Sequence, residues 1–168
     1  MGIKIIEIKA HCSDPSNIEN ILTERKADFR GIDNQTDTYF NCKNGRLKLR
    51  EGTIENSLIH YNRADLEGPK RSDVKLIKIR EASEMKSILS ETNGILKTVI
   101  KRRKIFFIRN VKFHIDEIEN LGSFVEIEAI DESEQFTENE LLEQCNYYLS
   151  LFNIPKSDLL KKSYSDMI

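Results

Sequence analysis

Several short segments of this chain carry charged residues two apart, each pair separated by an apolar one. Glu7 and Lys9 flank Ile8, and Arg46, Lys48 and Arg50 flank Leu47 and Leu49. Lys101 and Arg103, His114 and Asp116, and Glu126 and Glu128 repeat the spacing. On a β-strand, residues two apart share a face, so each segment would present charge on one side and aliphatic surface on the other. One such strand alone is ordinarily the water-facing side of an amphipathic sheet. Several together, with helices to cover their apolar faces, point to charge turned inward in a closed sheet, where an eight-stranded barrel has room for one small ligand.

An interior holding both cations and carboxylates needs balancing by water, metal ions and a multivalent anion, because an unpaired buried charge costs several kcal/mol. A triphosphate with a divalent metal meets that need. The arginine fork donates paired hydrogen bonds to phosphate, and lysine supplies a compact charge. Carboxylates suit Mg²⁺ or Mn²⁺, which take oxygen ligands and bridge protein to phosphate.

The elements that must position these residues can be read along the chain. Ile3 to Ala10 alternates as a strand. Asp14-Pro15 then supplies an N-cap and a first-turn proline for a helix to about Asp28, with Ile18, Ile21 and Leu22 on its core face. Asn44-Gly45 predicts a two-residue hairpin turn between strands Thr36 to Lys43 and Arg46 to Glu51. Strand-like runs follow at Ser57 to Arg63, Val74 to Arg80, Leu96 to Arg103, Ile105 to Arg109, Val111 to Glu117 and Ser123 to Ile130. Asp65 to Asp73 reads as a surface loop and Glu84 to Glu91 as a short exposed helix. Thr137-Glu138-Asn139-Glu140 is a capping box, and Leu141, Leu142, Cys145, Tyr148, Leu149 and Phe152 recur behind it at helical spacing. Pro155 stops that helix, and Ser157 to Ile168 reads as one more turn followed by a docked or loose end.

The whole chain of 168 residues fits a single domain. Its net charge of −2 argues against broad affinity for nucleic acid. Phe106, Phe107 and Phe113, in apolar contexts, do not form the aromatic platform of a single-strand binder. No apolar run approaches the roughly 20 residues of a membrane-spanning helix. The stretch after Met1-Gly2 is broken at once by Glu7 and Lys9, unlike a signal peptide, so cytoplasm is the expected compartment. Cys12, Cys42 and Cys145 have neither a disulfide nor a zinc spacing. His11 and His60 read as structural or exposed, and His114 as either structural or catalytic.

Taken in order, Ile5-Ile6-Glu7-Ile8-Lys9-Ala10, Gly45-Arg46-Leu47-Lys48-Leu49-Arg50-Glu51, Tyr61 with Arg63, Val99 to Arg103, Phe113-His114-Ile115-Asp116-Glu117 and Leu121 to Glu128 resemble the CYTH superfamily. These triphosphate tunnel enzymes include class IV adenylyl cyclases and thiamine triphosphatases. The resemblance spans nearly the whole chain and implies an α+β fold, a closed antiparallel eight-stranded barrel with helices outside. It implies metal binding at Glu7, Glu126, Glu128 and Asp116, and phosphate binding at Lys9, Arg46, Lys48, Arg50, Arg63, Lys101 and Arg103. Glu7, Lys9, Glu126 and Glu128 would be the catalytic set, and a homodimer is implied. The chain departs from the family's Glu-x-Glu-x-Lys signature at Ile5, which removes one metal carboxylate. The ending Ser163-Tyr164-Ser165-Asp166 is similar to the cyclase-like branch, in which ATP yields cyclic AMP and pyrophosphate. The alternatives are a triphosphatase acting on thiamine triphosphate, tripolyphosphate or a nucleotide, and a non-catalytic polyphosphate- or nucleotide-binding protein.

Overall fold

The computed structural model describes residues 3–63 and 68–168. Its strands are β1 (Ile3–His11), β2 (Asp28–Phe40), β3 (Arg46–Gly52), β4 (Ser57–Arg63), β5 (Lys70–Lys78), β6 (Ile95–Ile108), β7 (Val111–Ile118) and β8 (Gly122–Asp131). They pair in the order β1-β5-β4-β3-β2-β6-β7-β8, and β8 pairs back onto β1, so the sheet closes into a barrel with no free edge. Every pairing is antiparallel.

Alternation in the strands sorts side chains between two very different interiors. The outward faces of β1, β7 and β8 place Ile6, Ile8, Phe113, Ile115, Val125 and Ile127 beneath helices α1 (Pro15–Glu24) and α3 (Glu138–Leu151). Ile18 and Leu22 of α1 and Leu141 and Cys145 of α3 complete this cluster. Each large apolar side chain buried there contributes roughly 1.5–3 kcal/mol, so the barrel is held from outside while its lumen stays polar. Both helices have the expected starts: Asp14 accepts from the Asn17 N–H at 3.0 Å, and Thr137 and Glu140 cap reciprocally. Helix α2 (Ala82–Thr92) buries none of its residues, as expected of an exposed helix.

Four expectations are corrected. Helix α1 stops at Glu24, short of Asp28, because Lys26 turns to φ 57° and Asp28 already belongs to β2. The Asn44-Gly45 dipeptide does not make a two-residue turn: the β2–β3 ladder ends at Phe40 opposite Leu47, and only Gly45 of the dipeptide has positive φ. The runs split at Lys104 form one strand, β6, which pairs with β2 along most of its length. Residues 65–67 of the expected loop lie outside the described residues, but Lys70–Asp73 are strand. There Lys70 and Ser72 are buried, and the Lys70 ammonium donates to the carbonyls of Leu160 and Lys161 at 3.0 and 3.1 Å.

The tail is docked. Leu159 bridges Ala10, the Leu160 N–H donates to the Lys9 carbonyl at 2.9 Å, and Tyr164 is buried against Phe124. Arg46 of β3 pairs with Asp166 at 2.9 Å, so the tail crosses one end of the barrel. The other end is framed by the start of β1, the start of β4 and the end of β5.

Candidate active site in the barrel lumen

Cross-strand register, more than any single segment, assembles the site. Opposite residues on neighbouring strands point the same way, so pairing sets Glu7 beside Glu128 and Lys9 beside Glu126. It likewise sets His114 beside Glu126, Arg103 beside Asp116, and Asp37 beside Arg50. Together these inward faces line a cavity of about 620 Å³.

Two carboxylate hubs organise the charge. Asp37, completely buried, accepts from Arg50 at 2.8 and 2.9 Å and from Lys48 and Lys101 at 3.0 Å each. Burial alone would raise its pKa, but Arg50, Lys101 and Lys48 hold its carboxyl well below the usual carboxylate range. Lys101 feels the converse: burial and the neighbouring Arg103 push it down to about 7, against the pull of Asp37. The second hub joins Arg103 to Asp116 through two bonds of 2.6 Å and to Glu126 at 3.1 Å. Lys9 meets Glu126 at 2.7 Å, and Tyr164 donates its hydroxyl to Asp116 at 2.8 Å. Against the effect of burial, Lys9 and then Arg103 keep Glu126 strongly acidic.

Nearer the open end, Glu55 bridges Arg50 at 3.0 Å and Lys112 at 2.5 Å. Its loop is pinned by buried Asp33, which accepts from the N–H groups of Ile54 and Glu55 at 2.9 and 3.0 Å and from Thr53 and Gln35. Arg63 pairs through one nitrogen with Glu7, while its Nε and other terminal nitrogen are buried without a hydrogen-bond partner. Such orphaned donors are rare in folded proteins.

Of the residues singled out in the sequence, Glu7, Lys9, Lys48, Arg50, Arg63, Lys101, Arg103, Glu126 and Glu128 line the cavity. Arg46 and Asp116 do not: Arg46 reaches to Asp166, and Asp116 lies behind Arg103 with both oxygens engaged. Sequence reasoning missed Asp37, Asp33, Glu55, Lys112, Tyr39 and Tyr164. Asp33, Gln35, Asp37 and Tyr39 do alternate at strand period, and Lys112 stands two before His114, so a signal was present for these. His11 stacks on Phe124 and His60 bonds the Asn44 carbonyl at 2.8 Å, both away from the lumen.

The donors present fit a divalent cation. His114, Glu126 and Glu128 each offer one ligand atom, all within 4.8 Å of one another, and the His114 Nδ1 stands 3.0 Å from Glu126 and 3.8 Å from Glu128. Burial and then Arg103 lower the pKa of His114, favouring the neutral imidazole that can ligate a metal. Ile5 offers nothing to a cation: it packs against Ile59, Tyr61 and Val74.

The CYTH domain family matches residues 4–164. This chain belongs to the CYTH family. Over 96% of the chain, the CYTH domain is 24% identical to a Methanocaldococcus jannaschii protein named "putative adenylate cyclase", covering 97% of that protein. Its fold is shared by a Vibrio parahaemolyticus structure named "putative adenylate cyclase", with a TM-score of 0.82 at 18% identity over 99% of this chain and 98% of that one. A Hippeastrum structure, described as a "putative adenylyl cyclase" with a dominant triphosphatase activity, matches with a TM-score of 0.66 at 13% identity over 99% and 93%. The closed barrel with its charged lumen is therefore the CYTH fold. No helix among the described residues is long and apolar enough to cross a membrane.

Proposed function

We propose that this CYTH domain is a metal-dependent enzyme acting on a triphosphate, with the class IV adenylyl cyclase reaction, ATP to cyclic AMP and pyrophosphate, as its activity. The observation that carries the triphosphate reading is the orphaned guanidinium of Arg63 in a lumen short of negative charge. Among the described residues nine Lys and Arg side chains line the cavity against four Glu, with Asp37 and Asp116 behind the wall. That excess of positive charge favours a polyanion such as a triphosphate, which stays negative even with one divalent cation bound.

In this reading Lys9, Lys48, Arg50, Arg63, Lys101 and Arg103 bind phosphate oxygens, each already aimed inward by its strand. Glu126 and Glu128, with His114, hold the divalent cation, which when bound supplies charge neutralisation and Lewis acidity at the phosphates. Glu7 fixes Arg63 and borders the same site. Asp116 and Asp37 orient Arg103 and Arg50 from behind, so these forks need little reorganisation when charge develops on the leaving group. Cyclisation requires the ribose 3′-oxygen to attack the α-phosphorus as the bond to pyrophosphate breaks. The chain's contribution is to hold the phosphates in line for that attack.

The same cradle serves a triphosphatase if water attacks the γ-phosphorus, and the activity described for the Hippeastrum relative favours keeping this second reading. The apolar packing of Ile5 favours a third, binding without turnover. The test is incubation with ATP, thiamine triphosphate and tripolyphosphate, each with Mg²⁺ or Mn²⁺, and chromatographic separation of products. Cyclic AMP with pyrophosphate supports the cyclase, free phosphate replaces it with the triphosphatase, and binding without products leaves the non-catalytic protein.

A further inference from the structure

One residue of the tail reaches both groups that hold Glu126 in place. The two oxygens of that carboxylate take different cations: Oε1 meets the Lys9 ammonium at 2.7 Å, and Oε2 accepts from Arg103 at 3.1 Å beside the His114 contact. The Lys9 ammonium also stands 3.5 Å over the ring of Tyr164. The Tyr164 hydroxyl donates at 2.8 Å to Oδ2 of Asp116, the same oxygen that accepts from Arg103 at 2.6 Å. Tyr164 is therefore linked to Glu126 by two routes, its ring through Lys9 and its hydroxyl through Asp116 and Arg103.

Burial fixes both contacts. Tyr164 is buried against Phe124, with ring centres 5.1 Å apart. Burial and then the Asp116 carboxylate hold its hydroxyl well above the ordinary tyrosine range, so it stays a donor. A desolvated ring attracts an ammonium on its face more strongly than an exposed one, because water does not compete. The turn that carries Tyr164 is closed by Ser163, whose hydroxyl and N–H donate to the Asp166 carboxylate at 2.8 and 3.1 Å. Arg46 of β3 anchors that carboxylate at 2.9 Å, and nearer the start of the tail the Lys70 ammonium clasps the carbonyls of Leu160 and Lys161. Arg46 thus serves the lumen from outside it, through the tail.

We infer that Tyr164 is a positioning residue of the lumen: docking of the tail sets the orientation of the Glu126 carboxylate, and with it the divalent-cation site. The inference rests on the reading of Glu126 as a metal ligand and adds the group that orients it. Without the ring and the hydroxyl, Glu126 must be ordered at the moment the cation binds, which weakens the metal-assisted part of binding more than the direct phosphate contacts.

Titration calorimetry of tripolyphosphate with and without Mn²⁺ gives, for each intact protein, the factor by which the metal strengthens binding. Three variants are compared with wild type: Tyr164→Phe keeps the ring, Tyr164→Leu removes ring and hydroxyl, and Met167→Ala trims the tail's packing while leaving Tyr164 in place. The factor is expected to fall about tenfold in Tyr164→Leu and severalfold in Tyr164→Phe, with metal-free affinity within about twofold of wild type. Met167→Ala is expected to keep the wild-type factor even though its melting temperature falls. An unchanged factor in either Tyr164 variant, or an equal loss in Met167→Ala, would overturn the positioning role and leave the triphosphate reading standing; Tyr164→Phe decides by itself where Tyr164→Leu is too unstable to titrate. Failure of tripolyphosphate to bind wild type, or binding that Mn²⁺ does not strengthen, would remove the positioning role together with the reading it rests on.

Discussion

Asp37 and Arg50 face each other across β2 and β3 and share two hydrogen bonds, 2.8 and 2.9 Å long, on an aspartate with no exposed surface. The same aspartate takes Lys48 and Lys101, so one carboxylate gathers three inward basic groups before any ligand arrives. That makes Asp37 a structural counterion whose loss a bound polyanion could partly replace.

Asp37→Asn should therefore destabilise the ligand-free barrel by about 3–5 kcal/mol, the usual cost of breaking a buried pair. Addition of tripolyphosphate should recover part of the lost melting temperature. Thermal melts with and without tripolyphosphate check this; equal shifts in variant and wild type would remove the counterion role.

Lys101 predicts a pH dependence of the free protein and of binding. Its pKa in the barrel is pushed down to about 7, whereas the unfolded lysine titrates near ~10.4. Between these values the unfolded chain holds a proton that the folded one has released, so this group makes the ligand-free fold more stable as pH rises from 7 toward 10. A triphosphate restores the charge on Lys101, so binding should take up a proton in that window and weaken as pH rises through it. Calorimetry at pH 8 in buffers of different ionisation enthalpy measures the uptake, and Lys101→Met should abolish most of it.

Gly52 predicts a packing limit on the loop that carries Glu55. A Cβ there would stand 2.6 Å from the Asp33 carboxylate and 2.6 Å from the Glu55 carbonyl. Gly52→Ala should cost about 1–3 kcal/mol as overpacking and loosen the Glu55 contacts to Arg50 and Lys112. A lower melting temperature together with weaker tripolyphosphate binding is expected; a melt identical to wild type would contradict the close approach.

The parts of this protein that show in the sequence are those governed by period-two alternation with a clear apolar partner face. Glu7-Ile8-Lys9 and Glu126-Ile127-Glu128 belong there, and their strands and inward charges were legible. Asp28 to Gln35 was not, because its inward face carries Asp33 and Gln35 while its outward face is open, so no apolar stripe marks it. Lys70 looked like a loop residue because a lysine bonded to two tail carbonyls depends on a contact with residues 160 and 161 that local pattern cannot foresee. Tyr164 was invisible as a site residue for the same reason: its place beneath Lys9, 3.5 Å from ring centre to ammonium, follows from the docking of the tail. Ile5 was readable only as a missing carboxylate, and the barrel turns it into part of an aliphatic wall.

The claim that the lumen is a triphosphate site stands or falls on Arg63. Lysine in its place keeps a charge for Glu7 but cannot present the two unpartnered donors of the arginine fork. Titration of tripolyphosphate into wild type and Arg63→Lys, alongside a melt of each, should give saturable binding by wild type, about tenfold weaker binding by the variant, and melting temperatures within a few degrees. Equal affinities in the two proteins, or no binding by wild type, would contradict it.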